Sequence, residues 1–224
     1  MQNIDTVAII VAGGKGKRMR RPKQFLMLAG RPMLEWTLAA FQKTKVIDGI
    51  ILVAAKAQMK AAEKFRFSKI LKVVAAGKER QDSVKNGLSA LPPSTKIVAI
   101  HDGARPAVTV DIIERSIREA RKFGAVAAGV PVKDTMKVVS RKSLVVSRTV
   151  DRANLWQAQT PQVFKAEIIK KAYSKLKAPV TDDAMAVEKL GLPVKMVMGS
   201  DENIKVTTPE DLKIMEAILN GNNN

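Results

Sequence analysis

Val7-Ala8-Ile9-Ile10-Val11-Ala12-Gly13-Gly14-Lys15-Gly16-Lys17-Arg18-Met19 is the stretch from which the fold is read. Its first five residues are apolar without a break, the mark of a strand buried on both faces in a parallel sheet. Glycines interleaved with Lys15, Lys17 and Arg18 follow, and Pro22-Lys23-Gln24 closes the loop. Glycine lets a backbone approach an anion closely, and successive N–H groups can cradle phosphate oxygens. A strand feeding such a loop points to a nucleoside triphosphate. Two familiar loops do not fit. No Ser or Thr follows a Gly-Lys pair, as G-x-x-x-x-G-K-[ST] requires, and a dinucleotide fingerprint started at Gly14 and Gly16 meets Met19 where its third glycine belongs. On these residues alone, a basic surface loop after an edge strand remains open.

Outward from this stretch, apolar runs alternate with helical periods. Leu34, Leu38 and Phe41 lie on one helical face. Strands are expected at 50–54, 70–76, 97–100 and 125–130, with helices between them at 58–65, around Val84, Leu88 and Leu91, and from an N-cap at Thr109 to a stop at Gly124. This βαβα order predicts an open, mostly parallel α/β sheet. The pattern then changes. Residues 136–147 read as two short strands around a polar turn, with too few apolar residues for a core of their own. We expect an arm over 134–155 that projects from a single domain spanning 1–224 and grips a second subunit; an arm folded back on its own sheet is the alternative. Further on come a helix with Ile168, Ile169 and Ala172, then one N-capped by Thr181 with two acids in its first turn. Late strands are expected at 194–198 and 204–206, then a helix with Thr208 as N-cap and Pro209 at N1.

Composition narrows the chemistry. An apolar content of 46% is ample for a core, and the absence of cysteine excludes disulfides, thiolate metal sites and a cysteine nucleophile. No leader pattern opens the chain and no apolar run approaches about 18 residues, so a soluble, cytoplasmic protein without membrane attachment is expected. The net charge of +18 suits nucleic acid, a polyanionic small substrate or a Lys-rich solvated surface. The cations are dispersed, and 4% aromatics is poor material for base stacking, which argues against nucleic acid.

Ligands of parallel sheets bind beyond the carboxyl ends of the strands. Four loops would meet there: 12–23, 77–83, 101–106 and 203–207. They carry Lys15, Arg18, Lys23, Arg80, Arg105 and Lys205, with Asp102 as the carboxylate. A cationic rim with one Asp suits a triphosphate and its Mg²⁺. His101 has no Ser or Cys partner in view and is read as orienting Asp102 or the nearby backbone through a ring nitrogen. Asp102 as a plain turn residue, and Ser83 with Glu79-Arg80 as a mere helix start, stay open.

Taken in order, Ala12 to Met19, Pro22-Lys23-Gln24, Gly77-Lys78-Glu79-Arg80-Gln81-Asp82-Ser83, His101-Asp102-Gly103-Ala104-Arg105-Pro106, Thr149-Val150-Asp151-Arg152, Gln159-Thr160-Pro161-Gln162, Thr181-Asp182-Asp183 and Asn203-Ile204-Lys205-Val206-Thr207 form a specific set. With it, nearly the whole chain resembles the 2-C-methyl-D-erythritol 4-phosphate cytidylyltransferases of isoprenoid biosynthesis. The resemblance implies a Rossmann-like nucleotidyltransferase domain, CTP as substrate, Mg²⁺ and a homodimer joined through the arm. It implies that Arg18, Lys23, Arg152 and Lys205 serve catalysis. Ala12, Gly13, Gly14, Gly16, Gly77, Arg80, Ser83, Asp102 and Ala104 would surround CTP with Lys23 and Lys205, and Asp102 would face the metal. Arg105, Thr135, Thr160 and Thr181 would hold the sugar phosphate with Asp102 and Arg152, Thr135 and Arg152 coming from the partner. Gly13 and Gly103 stand where alanine is usual, each a methyl smaller. Ribitol 5-phosphate cytidylyltransferases share the nucleotide site and are the nearest alternative; a nucleic-acid-binding module and a non-catalytic nucleotide sensor are the others.

Overall fold

A computed structural model describes residues 4–14, 19 and 23–221. Along the chain come β1 (Thr6–Ala12), a small hairpin of β2 (Met27–Leu28) and β3 (Arg31–Pro32), α1 (Met33–Lys43), β4 (Gly49–Ala54), α2 (Met59–Ala62), β5 (Ile70–Ala75), α3 (Arg80–Ser89), β6 (Ile97–Asp102), α4 (Val110–Phe123) and β7 (Ala125–Pro131). Then follow β8 (Met136–Val139), β9 (Val146–Val150), β10 (Trp156–Lys165), α5 (Ala166–Ser174), α6 (Asp183–Glu188), β11 (Lys195–Met198) and α7 (Pro209–Gly221).

Seven strands form one sheet in the order β11-β7-β10-β6-β1-β4-β5. β1 lies inside it, parallel to β4 and β6, so every one of its residues is buried, as the unbroken apolar run requires. Side chains alternate between two cores. Ala8 and Ile10 pack with Leu34, Leu38 and Phe41 of α1 and Ile113 and Ile117 of α4; Val7 and Ile9 pack with Val84 and Leu88 of α3, Ile169 of α5 and Val187 of α6. α7 closes a smaller cluster with Leu28, Met33 and Val206 through Met215 and Leu219. The expected caps of α4 hold: Thr109 Oγ1 accepts from Ile112 N, and Gly124 ends the helix at φ 98°. No described helix is long and apolar enough to cross a membrane.

The structure corrects several expectations. β10 is a ten-residue strand antiparallel to both β6 and β7, where the sequence shows only the motif Gln159-Thr160-Pro161-Gln162. Gln159, Thr160, Pro161 and Gln162 interrupt its alternation, and the ladder to β7 shifts register between Ala158 and Gln162, a place where proline costs no regular pairing. β6 runs on through His101 and Asp102, which end a buried strand instead of opening a loop. Residues 204–206 are not a strand but an extended segment, tied by Val206 N to Ala104 O at 2.9 Å. Thr181 does not cap α6. Asp182 does, accepting from Met185 N at 2.9 Å, while Thr181 is exposed with its hydroxyl against Met185 Sδ.

The arm stands apart. β8 and β9 pair with each other as a separate two-stranded sheet. Leu144 is 74% exposed and Val145 64%, with Met136, Val139 and Val146 also open.

Candidate active site

β1, β5 and β6 deliver three loops to one rim, and the segment before α7 crosses it. Gly103 N donates to Val11 O at 2.9 Å, which fixes the end of β6 beside the end of β1. The first and second loops touch at Gly13: a methyl there would lie 2.1 Å from the Ala76 Cβ and 3.6 Å from Ser83 Oγ. The smaller residue is therefore matched to its neighbour, and the place of the missing methyl is filled by Ala76. A methyl on Gly77 would lie 2.2 Å from the Asp82 Cβ, and the Gly77 N–H donates to Ser83 Oγ at 3.1 Å. Ser83 in turn donates to Glu79 O, so its hydroxyl closes the second loop.

The chemistry centres on Asp102, buried at the tip of β6. Arg80 Nε lies 3.0 Å from Oδ1 and Lys205 Nζ 2.7 Å from Oδ2. Burial alone would raise the carboxyl's pKa; Arg80 and Lys205 outweigh it and hold the group well below the usual carboxylate range. Arg80 spends its other nitrogens on Asp183, Nη1 on Oδ1 at 3.1 Å and Nη2 on Oδ2 at 2.8 Å. Arg80 thus bridges two carboxylates at the rim.

His101 is fully buried and stays neutral. Desolvation brings its pKa down to about 3 despite the nearby Asp102. Its Nε2 lies 3.2 Å from the Arg105 carbonyl, which can only accept, so Nε2 carries the proton and Nδ1 is left as an acceptor. The Thr160 hydroxyl, 3.0 Å from Nδ1, therefore donates to it, and Thr160 Oγ1 accepts from Asp102 N at 3.1 Å. This is the orienting role expected of His101. It also sets Thr160 as a brace behind Asp102, its hydroxyl engaged within the protein.

The 203–207 segment is sewn to the rim from several sides. Arg105 Nη1 donates to Asn203 O at 2.6 Å, Asn203 Nδ2 to Thr160 O at 2.9 Å, and the buried Lys23 Nζ to Val206 O at 2.5 Å. Lys205 is thereby presented to Asp102, and Lys23 reaches the same segment from the first loop. Gly14 lies next to Gln24, whose Nε2 a methyl there would approach to 3.2 Å. Ala12, Gly13, Gly14, Lys23, Gly77, Arg80, Ser83, Asp102, Ala104, Arg105, Thr160 and Lys205 all belong to this rim; Gly16 and Arg18, with Lys15, lie outside the described residues. Thr135 and Arg152 sit exposed on the arm, where Arg152 Nη1 donates to Lys133 O.

Sequence reasoning missed Asp183, Tyr173, Gln162 and Asn203. Asp183 is adjacent to Asp182, and one helix start needs one capping carboxylate, so the second acid was a signal that something else used it.

The family model described as 2-C-methyl-D-erythritol 4-phosphate cytidylyltransferase matches residues 6–221. The enzyme of that name from Alkaliphilus metalliredigens is 50% identical over 222 residues, covering 95% of this chain and 92% of its own. Its counterpart from Caldanaerobacter subterraneus subsp. tengcongensis is 45% identical, covering 95% and 97%. Among solved structures, 4-diphosphocytidyl-2C-methyl-D-erythritol synthase from Anaerococcus prevotii superimposes with a TM-score of 0.85 at 34% identity, covering 96% of each chain.

Proposed function

This chain belongs to the 2-C-methyl-D-erythritol 4-phosphate cytidylyltransferase family, and we propose that it performs that reaction at the Asp102 rim. CTP and 2-C-methyl-D-erythritol 4-phosphate give 4-diphosphocytidyl-2-C-methyl-D-erythritol and pyrophosphate. One observation carries the reading: Arg80 and Lys205 converge on a buried Asp102 where three strand-end loops meet, and Lys23 and Arg105 tie down the segment that carries Lys205.

The reaction needs no general base. The nucleophile is a phosphate oxygen, ionised at pH 7, which attacks the α-phosphorus in line as pyrophosphate departs. The protein's task is to bring two polyanions together and to hold the charge that spreads over the α-phosphate oxygens. Lys205, together with Lys23 and Arg18, serves that task; His101, buried and neutral, serves the scaffold. The surplus of cations over the whole surface adds attraction for both substrates, an effect weakened by salt.

Asp102 is a hard oxygen donor kept ionised, which fits Mg²⁺. Among the described residues no group of three or more His, Cys, Asp or Glu could hold a metal by itself. That suits an ion held by one carboxylate and the triphosphate together, as Mg²⁺ prefers. When bound, it would neutralise triphosphate charge.

The arm completes the site from a second copy. Its apolar side chains are exposed, and it makes its own small sheet apart from the main one. Thr135 and Arg152, at its base, reach the partner's sugar phosphate, so the working unit is a homodimer. Pyrophosphate release measured with CTP and each alcohol phosphate tests the reading. Turnover with the methylerythritol phosphate is expected; turnover with ribitol 5-phosphate alone would contradict it.

A further inference from the structure

We propose that Tyr173 and Asp183 are positioning residues that hold Asp102 in place through Arg80, an inference that rests on the activity proposed above. Asp183 has 0% exposure. Its backbone is pinned at the start of α6, where Asp183 N and Ala184 N both donate to Gln162 Oε1, at 3.0 and 2.9 Å. Its carboxylate receives the two terminal nitrogens of Arg80 side by side, the fork geometry that fixes a guanidinium plane. The Tyr173 hydroxyl of α5 donates to Oδ1 at 2.6 Å. Burial first, and then the Asp183 charge, push that hydroxyl above its ordinary range, so it remains a donor.

The result is a rod of charge-assisted bonds, Tyr173–Asp183–Arg80–Asp102–Lys205, that starts between α5 and α6 and ends at the reacting rim. Arg80 is its strut. With Nε on Asp102 and both terminal nitrogens on Asp183, it sets where Asp102 Oδ1 can sit, while Oδ2 remains on the open side with Lys205. Removing the phenol leaves Asp183 with one donor fewer and lets the Arg80 fork tilt. Asp183→Asn keeps one acceptor oxygen but sets an amide donor against the other Arg80 nitrogen, so one of the three contacts that aim Arg80 is lost and a second loses its charge. Either change acts on Asp102 through Arg80 and replaces no residue of the nucleotide-binding loops.

The proposal therefore calls for a kcat effect with little KM effect, and for non-additivity. Tyr173→Phe should lower kcat about five-fold and Asp183→Asn about fifty-fold, with KM for CTP within about two-fold of the parent. The double variant should be no slower than Asp183→Asn, because both act through one strut. Rates are taken per folded molecule, the folded fraction being read by circular dichroism. In parallel, exchange of the Arg80 Nε proton with water, followed by NMR without substrate, reads the strut itself. Tyr173→Phe should speed it about ten-fold or more, as local opening becomes easier. If Asp183→Asn does not fold, Tyr173→Phe alone decides. Unchanged kcat and unchanged exchange in Tyr173→Phe, or multiplying effects in the double variant, would overturn the proposal. A parent that releases no pyrophosphate would overturn the activity reading instead, and the proton exchange would still judge the strut.

Discussion

The Asp102 rim and the β8–β9 arm are built on opposite terms. At the rim the central described charges have counterparts inside the chain: Arg80 and Lys205 on Asp102, Arg80 and Tyr173 on Asp183, Lys23 on Val206 O. On the arm, Leu144, Val145 and Val146 are open to water, although a two-stranded hairpin alone is marginal. The rim is what one chain can finish. The arm, on the reading proposed above, is left for a second copy, and on that reading the difference separates residues that stabilise the fold from residues that complete the site.

The comparison can be broken from either side. Lys205→Ala should lower kcat about 10²–10³-fold, the usual cost of a lost transition-state charge, while a dimer still forms on gel filtration. A loss of assembly in that variant would show that the rim is not self-contained. Deleting residues 138–146 should give a monomer whose turnover is reduced roughly 100-fold, since part of the site is misplaced or missing, with its melting transition nearly unchanged. An unchanged dimer would remove the arm's role.

Smaller effects sharpen the account of the rim. Gly13→Ala should destabilise by about 1–3 kcal/mol in chemical denaturation, because the new methyl meets Ala76. Ala76→Gly in the same chain should restore most of the loss. Failure of that rescue would mean the two loops are not matched in size at this contact. The smallest effect is in pH dependence. The folded protein keeps His101 neutral down to about 3, whereas the unfolded chain takes up the proton near 6.5. Stability should therefore be complete above pH 6.5 and fall as pH drops toward 3, with a slope of at most about 1.4 kcal/mol per pH unit from this group. His101→Gln should flatten the slope between pH 6.5 and about 5.5, above the range where most carboxylates titrate. An equal slope in both proteins would show that another group carries it.

The sheet was legible because the middles of β1, β4 and β6 are buried on both faces and so hold unbroken apolar runs, 7–12, 50–54 and 97–100. β10 was not, because its middle serves the site: Gln159, Thr160 and Gln162 face polar partners, which breaks the pattern that marks a strand. The rim's cations were legible because they follow strands directly. Asp183 and Tyr173 were not, since their meaning depends on α5 and α6 packing against α3, a contact separated by about a hundred residues of chain from Arg80. Lys205 was read in its place, while its supposed strand at 204–206 proved to be an extended segment held by side chains of the rim.

Subunit complementation tests the central claim most directly. Lys205→Ala disables the rim and leaves the arm; Arg152→Ala disables the arm and leaves the rim. If each site joins the rim of one copy to the arm of the other, a mixed dimer holds one intact site, and an equal, re-equilibrated mixture should recover about one quarter of the parent's turnover. Turnover no greater than the mean of the two variants measured alone would contradict the shared site.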